Sequence, residues 1–407
     1  MDREKKTFPH ELLLQSKKEH FEYFKNKVFG HDRLLQMDDQ LMHALLYPTG
    51  KSIILVFGPT GVGKTTLRTR IERKLLELEM EAMQRDPGYL PVVSMEAIAT
   101  SRSYDWKEHI IRTLIAAKEP LIEHKVNPDA RKVSQGKELT RSPDRTELVL
   151  RRSLESCVHE RRTKYIIVDE AQHLNRVGSE RNHRDQMETI KSLAETTGTV
   201  HVLIGTYDLL ELTHLSAQLC RRSINIHFSR YNNHVQDDQN AFASMLEAFQ
   251  RHLPLGQTPD LLSFEDYLYE KTFGCIGVLK TMLNSALSKA LSSKDETMTK
   301  EILEKSAPPL RDLVQMSQEI AEGEGVLRET DEQLIKVRSF LAEMPPEGQK
   351  EKKEKQVAGI QDLSEGEARP EQADGQPPEE PDIKPRKPRP GERSPKRDKS
   401  GRRKEVE

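Results

Sequence analysis

The eight residues Gly58-Pro-Thr-Gly-Val-Gly-Lys-Thr65 constrain this chain more than any other segment. They match the pattern GxxxxGK[ST] at every fixed position. The apolar run Ser52–Phe57 (SIILVF) leads into them, and a helical pattern over Lys64–Gln84 leads out. A buried-type strand, a glycine-rich turn and a helix in that order bring successive backbone N–H groups inward, where the positive end of the helix also points. The arrangement predicts a phosphate-binding loop made of Gly58, Pro59, Thr60, Gly61, Val62, Gly63, Lys64, Thr65 and Thr66. In it Lys64 adds a cation near the β- and γ-phosphates, and Thr65 offers a hydroxyl to Mg²⁺.

Such a loop calls for an acid at the end of a neighbouring strand. Tyr165-Ile-Ile-Val-Asp169-Glu170 supplies one after four apolar residues. Asp169 is expected to orient the metal, and Glu170 to polarise the water that attacks the γ-phosphate. The Asp-Glu pair favours an ATPase over a Ras-like GTPase, and no NKxD guanine-reading motif is present, so the expected cofactors are ATP and Mg²⁺.

Around these motifs, helix and strand alternate. Helices are expected over His10–Lys27, His31–Leu46, Asp105–Ala117, Arg145–Glu160 and Asp185–Glu195; strands are expected at Leu90–Ser94, Lys164–Asp169, Val200–Gly205 and Ser223–Phe228. Continuous apolar runs of strand length fit a parallel sheet covered on both faces. After Phe228 strands cease. Gln236–Arg251, Phe264–Phe273, Gly277–Leu291 and Thr299–Ser306 read as helices, and 309–343 as one more helix or a pair split near Gly323 and Gly325. The expected organisation is an N-terminal helical segment (1–48), an α/β core with a parallel sheet (49–234), a helical lid (235–308), a helical extension (309–344) and a disordered charged tail (345–407).

Composition supports that last boundary. Residues 345–407 hold 10 of the 22 prolines, 15 acids and 16 bases, and no aromatic residue follows Phe340. Such a segment cannot bury enough apolar surface to offset chain entropy. Its charge is sorted: Asp362–Asp382 carries eight acids and one base, Lys384–Lys404 eleven bases and two acids. The basic half could bind DNA non-specifically, meet an acidic partner or fold back on the acidic half. The whole chain of 407 residues has a formal charge of −2, so net charge selects no partner class. No apolar run approaches the roughly 18 residues that span a bilayer. Cys157, Cys220 and Cys275 form no CxxC or Cys/His cluster, and no signal-peptide pattern follows Met1. These features argue against a membrane protein, a disulfide scaffold or a zinc module, and for a cytoplasmic location.

Beyond single motifs, residues 8–305 resemble AAA+ ATPases, and more narrowly the TnsC/TniB family of transposition regulators. The resemblance rests on GPTGVGKTT (58–66), IIVDEAQHL (166–174), VLIGTYDLL (202–210), QLCRRS with IHFSRY (218–231) and FGCIGVLKTML (273–283). It implies a P-loop AAA+ core with a helical lid, assembling with ATP on double-stranded DNA as a ring or helical filament. It also implies that the assembly links a target-selector protein of the TniQ/TnsD type to transposase subunits. Thr206 matches the family's sensor-1 position, and Arg222 or Arg221 the arginine finger sent into a neighbour's nucleotide. Where many relatives carry a lid arginine this chain has Val278, which leaves Lys280 as the nearest cation. His31, in Phe29-Gly-His-Asp-Arg33, falls where the family lines its adenine pocket, or is simply a loop residue.

For DNA, the resemblance points to Arg102, Ser103 and Tyr104 after the second strand. The polar insertion beyond adds Lys132, Lys137 and Arg141; between Lys125 and Arg152 there are eight bases and four acids. Cations among small polar residues suit phosphate tracking better than base reading. The main expectation is an ATP-controlled regulator of transposition, with hydrolysis driving disassembly. The alternative is a helicase loader or replication initiator, which would want a winged-helix pattern after residue 310.

Overall fold

The computed structural model describes residues 8–98, 104–120, 122, 143–175, 180–213, 223–293, 297–328, 335, 336 and 338–340. Residues 1–329 form one compact unit and 330–407 another. In the second unit the described residues are helical.

Five described strands build one sheet: β1 (Ile53–Phe57), β2 (Val92–Glu96), β3 (Tyr165–Asp169), β4 (Val200–Gly205) and β5 (Ser223–His227). Their spatial order is β2-β3-β4-β1-β5, and every pairing is parallel. The unbroken apolar runs now have a reason. Along β1, Ile53, Leu55 and Phe57 enter one core cluster while Ile54 and Val56 enter another on the opposite face. A strand buried on both sides has no polar face to alternate.

Helices α2 (Asp32–Leu46) and α3 (Lys64–Leu78) cover one face through Leu41, Leu45, Leu67 and Ile71; α4 (Met80–Arg85) follows after Glu79. The other face is covered by α5 (Trp106–Ala116), α6 (Pro143–Glu160) and α7 (Glu180–Thr197) through Leu114, Leu150, Leu154 and Leu193. After the short α8 (Leu209–Thr213) and β5, a third cluster joins α9 (Gln236–His252), α10 (Glu265–Thr272), α11 (Ile276–Ser292) and α12 (Lys300–Glu304). Phe24 of α1 (Lys17–Asn26) is buried in that helical cluster, whereas α2 belongs to the sheet. The two parts of residues 1–48 therefore brace different layers.

Three expectations about elements change. The helix over His10–Lys27 is two pieces, a 3₁₀ turn at His10–Leu14 and α1, because Ser16 and Glu19 close a capping box that starts a new helix. The acid-bearing β3 is not beside β1; β4 lies between them. Within the stretch from 309 onward, α13 (Leu310–Leu327) runs through Gly323 and Gly325 without a break, and the described residues beyond it, 335, 336 and 338–340, are again helical. Tertiary packing outweighs the helix penalty of about 1 kcal/mol per glycine.

Candidate nucleotide-binding site

Residues 58–63 connect β1 to α3 along a path that needs glycine at specific places. A Cβ at Gly58 would collide with the Phe228 carbonyl, because the chain leaving β5 runs alongside. Gly61 has φ +77°, and a Cβ there would lie 2.5 Å from Val278 of the lid. Gly63, at φ +118°, caps α3, whose first residue is Lys64. The Lys64 side chain is only 8 % exposed, and its Nζ donates to the Gly58 and Pro59 carbonyls at 2.8 and 2.9 Å. Burial lowers its pKa, against the opposing pull of Glu319, Glu170 and Asp169. An ammonium so desolvated gains much from an arriving anion.

Facing this loop across a cavity of about 280 Å³ are Glu170, Gln172 and Thr206. Glu170 and Gln172 follow the C-terminal end of β3 and Thr206 that of β4, and the interposed β4 is what brings Thr206 between the acid and the loop. Asp169 is buried; one carboxylate oxygen accepts from the Glu170 N–H at 3.0 Å, the other lies 3.2 Å from Arg68 Nε of α3. Glu170 follows in a left-handed conformation at φ +53°. For a residue with a Cβ this costs about 1–3 kcal/mol, a strain concentrated at functional positions. The Gln172 amide ties the group together: Nε2 donates to Glu170 Oε2 at 2.6 Å, and Oε1 accepts from the Thr206 N–H at 3.3 Å. Gly205 makes room for it, since a Cβ there would lie 2.6 Å from Gln172 Oε1. The Thr206 hydroxyl is buried without a partner. A buried orphan hydroxyl costs about 1–3 kcal/mol, which a ligand oxygen in the cavity would recover.

These residues fit a nucleotide with its metal. Loop N–H groups and Lys64 suit phosphate, and Thr206 offers a free hydroxyl. Thr65 and Asp169 are hard oxygen donors of the kind Mg²⁺ takes along with phosphate. Among the described residues there is no cluster of three or more His, Cys, Asp or Glu that could hold a metal ion.

Residues 48–213 match the family profile described as an AAA domain. The core has the P-loop AAA+ ATPase fold. Solved structures similar to the chain include the Aeropyrum pernix ORC1 protein in complex with DNA (TM-score 0.45, 16 % identity, covering 75 % of this chain and 70 % of that one). The Aeropyrum pernix ORC2 protein in its ADPNP–ADP complexes gives 0.43 and 13 %, covering 70 % of each chain. Drosophila ORC bound to DNA gives 0.43 and 14 %, covering 80 % and 84 %. No curated protein matches by sequence.

In this AAA+ fold the lid presses directly on the loop: the Gly277 N–H donates to the Gly61 carbonyl at 2.7 Å. Val278, at the position of the expected cation, packs on Gly61 instead. A second cavity of about 180 Å³ shares Gly63, Thr66 and Gly277 with the phosphate side and continues between Phe29, Val62 and Ile276. Its apolar walls suit a base. His31 lines this cavity as a buried structural residue rather than an open loop residue. Its Nδ1 bonds the Tyr231 hydroxyl at 3.0 Å and caps α2 at the Leu34 N–H, and burial lowers its pKa to about 4. Lys280 also borders this cavity, but its ammonium is engaged by Phe24. It donates to the Phe24 carbonyl and sits 3.4 Å from the centre of the Phe24 ring; burial, then Lys27, lowers its pKa to about 7.

Tyr104 is a correction. It is 6 % exposed, its hydroxyl bonds His109 Nδ1 at 2.5 Å, and its ring packs edge-on to Trp106. It is a core residue and offers no surface to a duplex. Arg102, Ser103, Lys132, Lys137, Arg141, Arg221 and Arg222 lie outside the described residues, as does the tail. Among the described residues no helix is long and apolar enough to cross a membrane. Two site residues carried no assigned role in the sequence. Gln172 stood inside the quoted IIVDEAQHL, where a polar residue two steps past the acid was a usable signal. Glu319 had none, being one acid among many, 259 residues from its partner Thr60.

Proposed function

We propose that the chain is a Mg²⁺-dependent ATPase that regulates DNA transposition. It assembles with ATP on duplex DNA as a ring or filament and joins a TniQ/TnsD-like target selector to the transposase. The observation that carries the ATPase half is the convergence of Lys64, Glu170, Gln172 and Thr206 on one cleft. The N–H groups of the loop from Thr60 to Thr66 would cradle the phosphates, and Thr65 with Asp169 would hold Mg²⁺, which when bound would draw charge from the phosphate oxygens. Glu170 takes the proton of the attacking water, and Thr206 donates to the γ-phosphate. Arg222 or Arg221 of a neighbouring subunit stabilises the transferring group, so that hydrolysis depends on assembly.

The transposition half is supported by the sequence resemblance over 8–305. Electron microscopy of the full chain with duplex DNA, Mg²⁺ and a slowly hydrolysed ATP analogue tests it: discrete rings or helices are expected. Duplex affinity should fall steeply with salt, and only in the presence of nucleotide. A protein that stays monomeric under these conditions defeats the reading. Assembly without transposase stimulation, but with loading of a replicative helicase, replaces it with the initiator alternative.

A further inference from the structure

The mouth of the phosphate cleft holds a group that hydrolysis does not use. Helix α13 crosses it, and Glu319 Oε1 accepts from the Thr60 backbone N–H at 3.0 Å and from the Thr60 hydroxyl at 3.1 Å. Thr60 belongs to the P-loop, so a carboxylate already satisfies one of the loop's N–H donors. Glu319 is also the foremost negative charge acting on buried Lys64, ahead of Glu170 and Asp169.

The rest of α13 is shaped to hold that carboxylate there. Leu313, Ile320 and Gly323 are buried, and Leu327 packs against the sheet core, a stripe at helical spacing. At Gly323 the helix lies so close to the Tyr207 ring that any Cβ would collide with it. The next residue, Glu324, makes a two-pronged pair with Arg230, Nε to Oε1 at 2.8 Å and Nη2 to Oε2 at 3.2 Å. The third guanidinium nitrogen bonds the Tyr269 hydroxyl at 2.9 Å, which anchors the pair to the lid. Glu319 stands one turn before Gly323 on the same side of the helix.

We propose that the surface formed by Thr60, Tyr207 and Arg230 is a docking site for an acidic helix. Helix α13 occupies it, with Glu319 standing in for a phosphate, and must withdraw when a nucleoside triphosphate binds. The inference rests on the ATPase reading, because it makes Glu319 and phosphate competitors for one set of donors. Carboxylate and phosphate oxygens take the same charge-assisted hydrogen bonds from N–H groups and ammonium. Two anions cannot share the Thr60 N–H and Lys64 without mutual repulsion. Nucleotide affinity is then reduced by the fraction of molecules in which α13 is seated.

Fluorescent ATP analogue binding to the full chain, with Mg²⁺, tests this in the wild type, Lys64→Ala, Glu319→Ala and Gly323→Leu. Alanine suits an α-helix, so Glu319→Ala leaves α13 able to form even if the bulkier leucine disturbs folding. Glu319→Ala is expected to lower Kd by about three- to tenfold, the tax set by the seated fraction. Gly323→Leu should do the same by unseating the helix. In the wild type, amide protection of 310–327 should fall when the nucleotide is added. An unchanged Kd in Glu319→Ala, or unchanged protection of α13, overturns the docking proposal while Lys64-dependent binding leaves the ATPase reading standing. Absence of nucleotide binding in every form, Glu319→Ala included, overturns both.

Discussion

Glu170 is held by three constraints at once: a left-handed backbone, the Asp169 carboxylate on its N–H and the Gln172 amide on its side chain. Glu170→Gln keeps the shape and removes the carboxylate proposed as the base. Turnover should fall by about 10²–10⁴ with nucleotide affinity little changed, and steady-state hydrolysis alongside direct binding checks it. Gln172 acts through its neighbours, so Gln172→Leu should lower kcat by about tenfold, one lost hydrogen bond to a charged group, and leave KM nearly where it was. If KM rises instead and kcat holds, Gln172 contacts the nucleotide and does not position Glu170. The motif made Lys64, Asp169 and Glu170 legible because their chemistry fixes residue type and spacing. Lys280 was not legible in the same way, since sequence gives the cation but not the aromatic shelf of Phe24 that claims it.

The lid helix α11 closes on the loop at a single backbone hydrogen bond, Gly277 N–H to Gly61 O. A side chain at 277 would meet that carbonyl, so Gly277→Val should hold the lid off the loop and raise KM for ATP several-fold. A nucleotide titration reads this out; an unchanged KM would show that the lid seats by other contacts. The strands β1, β3 and β4 were readable to within a residue, because an apolar run bounded by turns admits few alternatives. Their order was not. That β4 separates β1 from β3, and so delivers Thr206 between loop and acid, is a pairing choice β1 makes among segments over a hundred residues away. The continuity of α13 was equally hidden, because Gly323 reads as a breaker until the Tyr207 ring explains why nothing larger fits.

The molecule as a whole should be acid-sensitive. His31, His109 and His201 are buried and neutral, with pKa values lowered by burial to about 4, 3 and 4. Below pH 6.5 the unfolded chain binds protons that the folded chain refuses, so stability is full above that pH and is lost as pH falls toward 4. Each group contributes up to roughly 3 kcal/mol across this window. Thermal unfolding at pH 7.5, 6 and 5 should show a steady fall in Tm, and a flat profile would mean these rings keep access to water when folded. At this scale the amino-acid sequence alone settled the layered α/β core, the phosphate loop and the acid pair that ends β3, because local geometry and hydrophobic period dictate them. Tertiary structure alone decided what stands opposite the loop. Strand order, the burial of Tyr104, the capture of Lys280 by Phe24 and the approach of Glu319 all depend on contacts between distant segments, whose energies arise only once the chain has closed on itself.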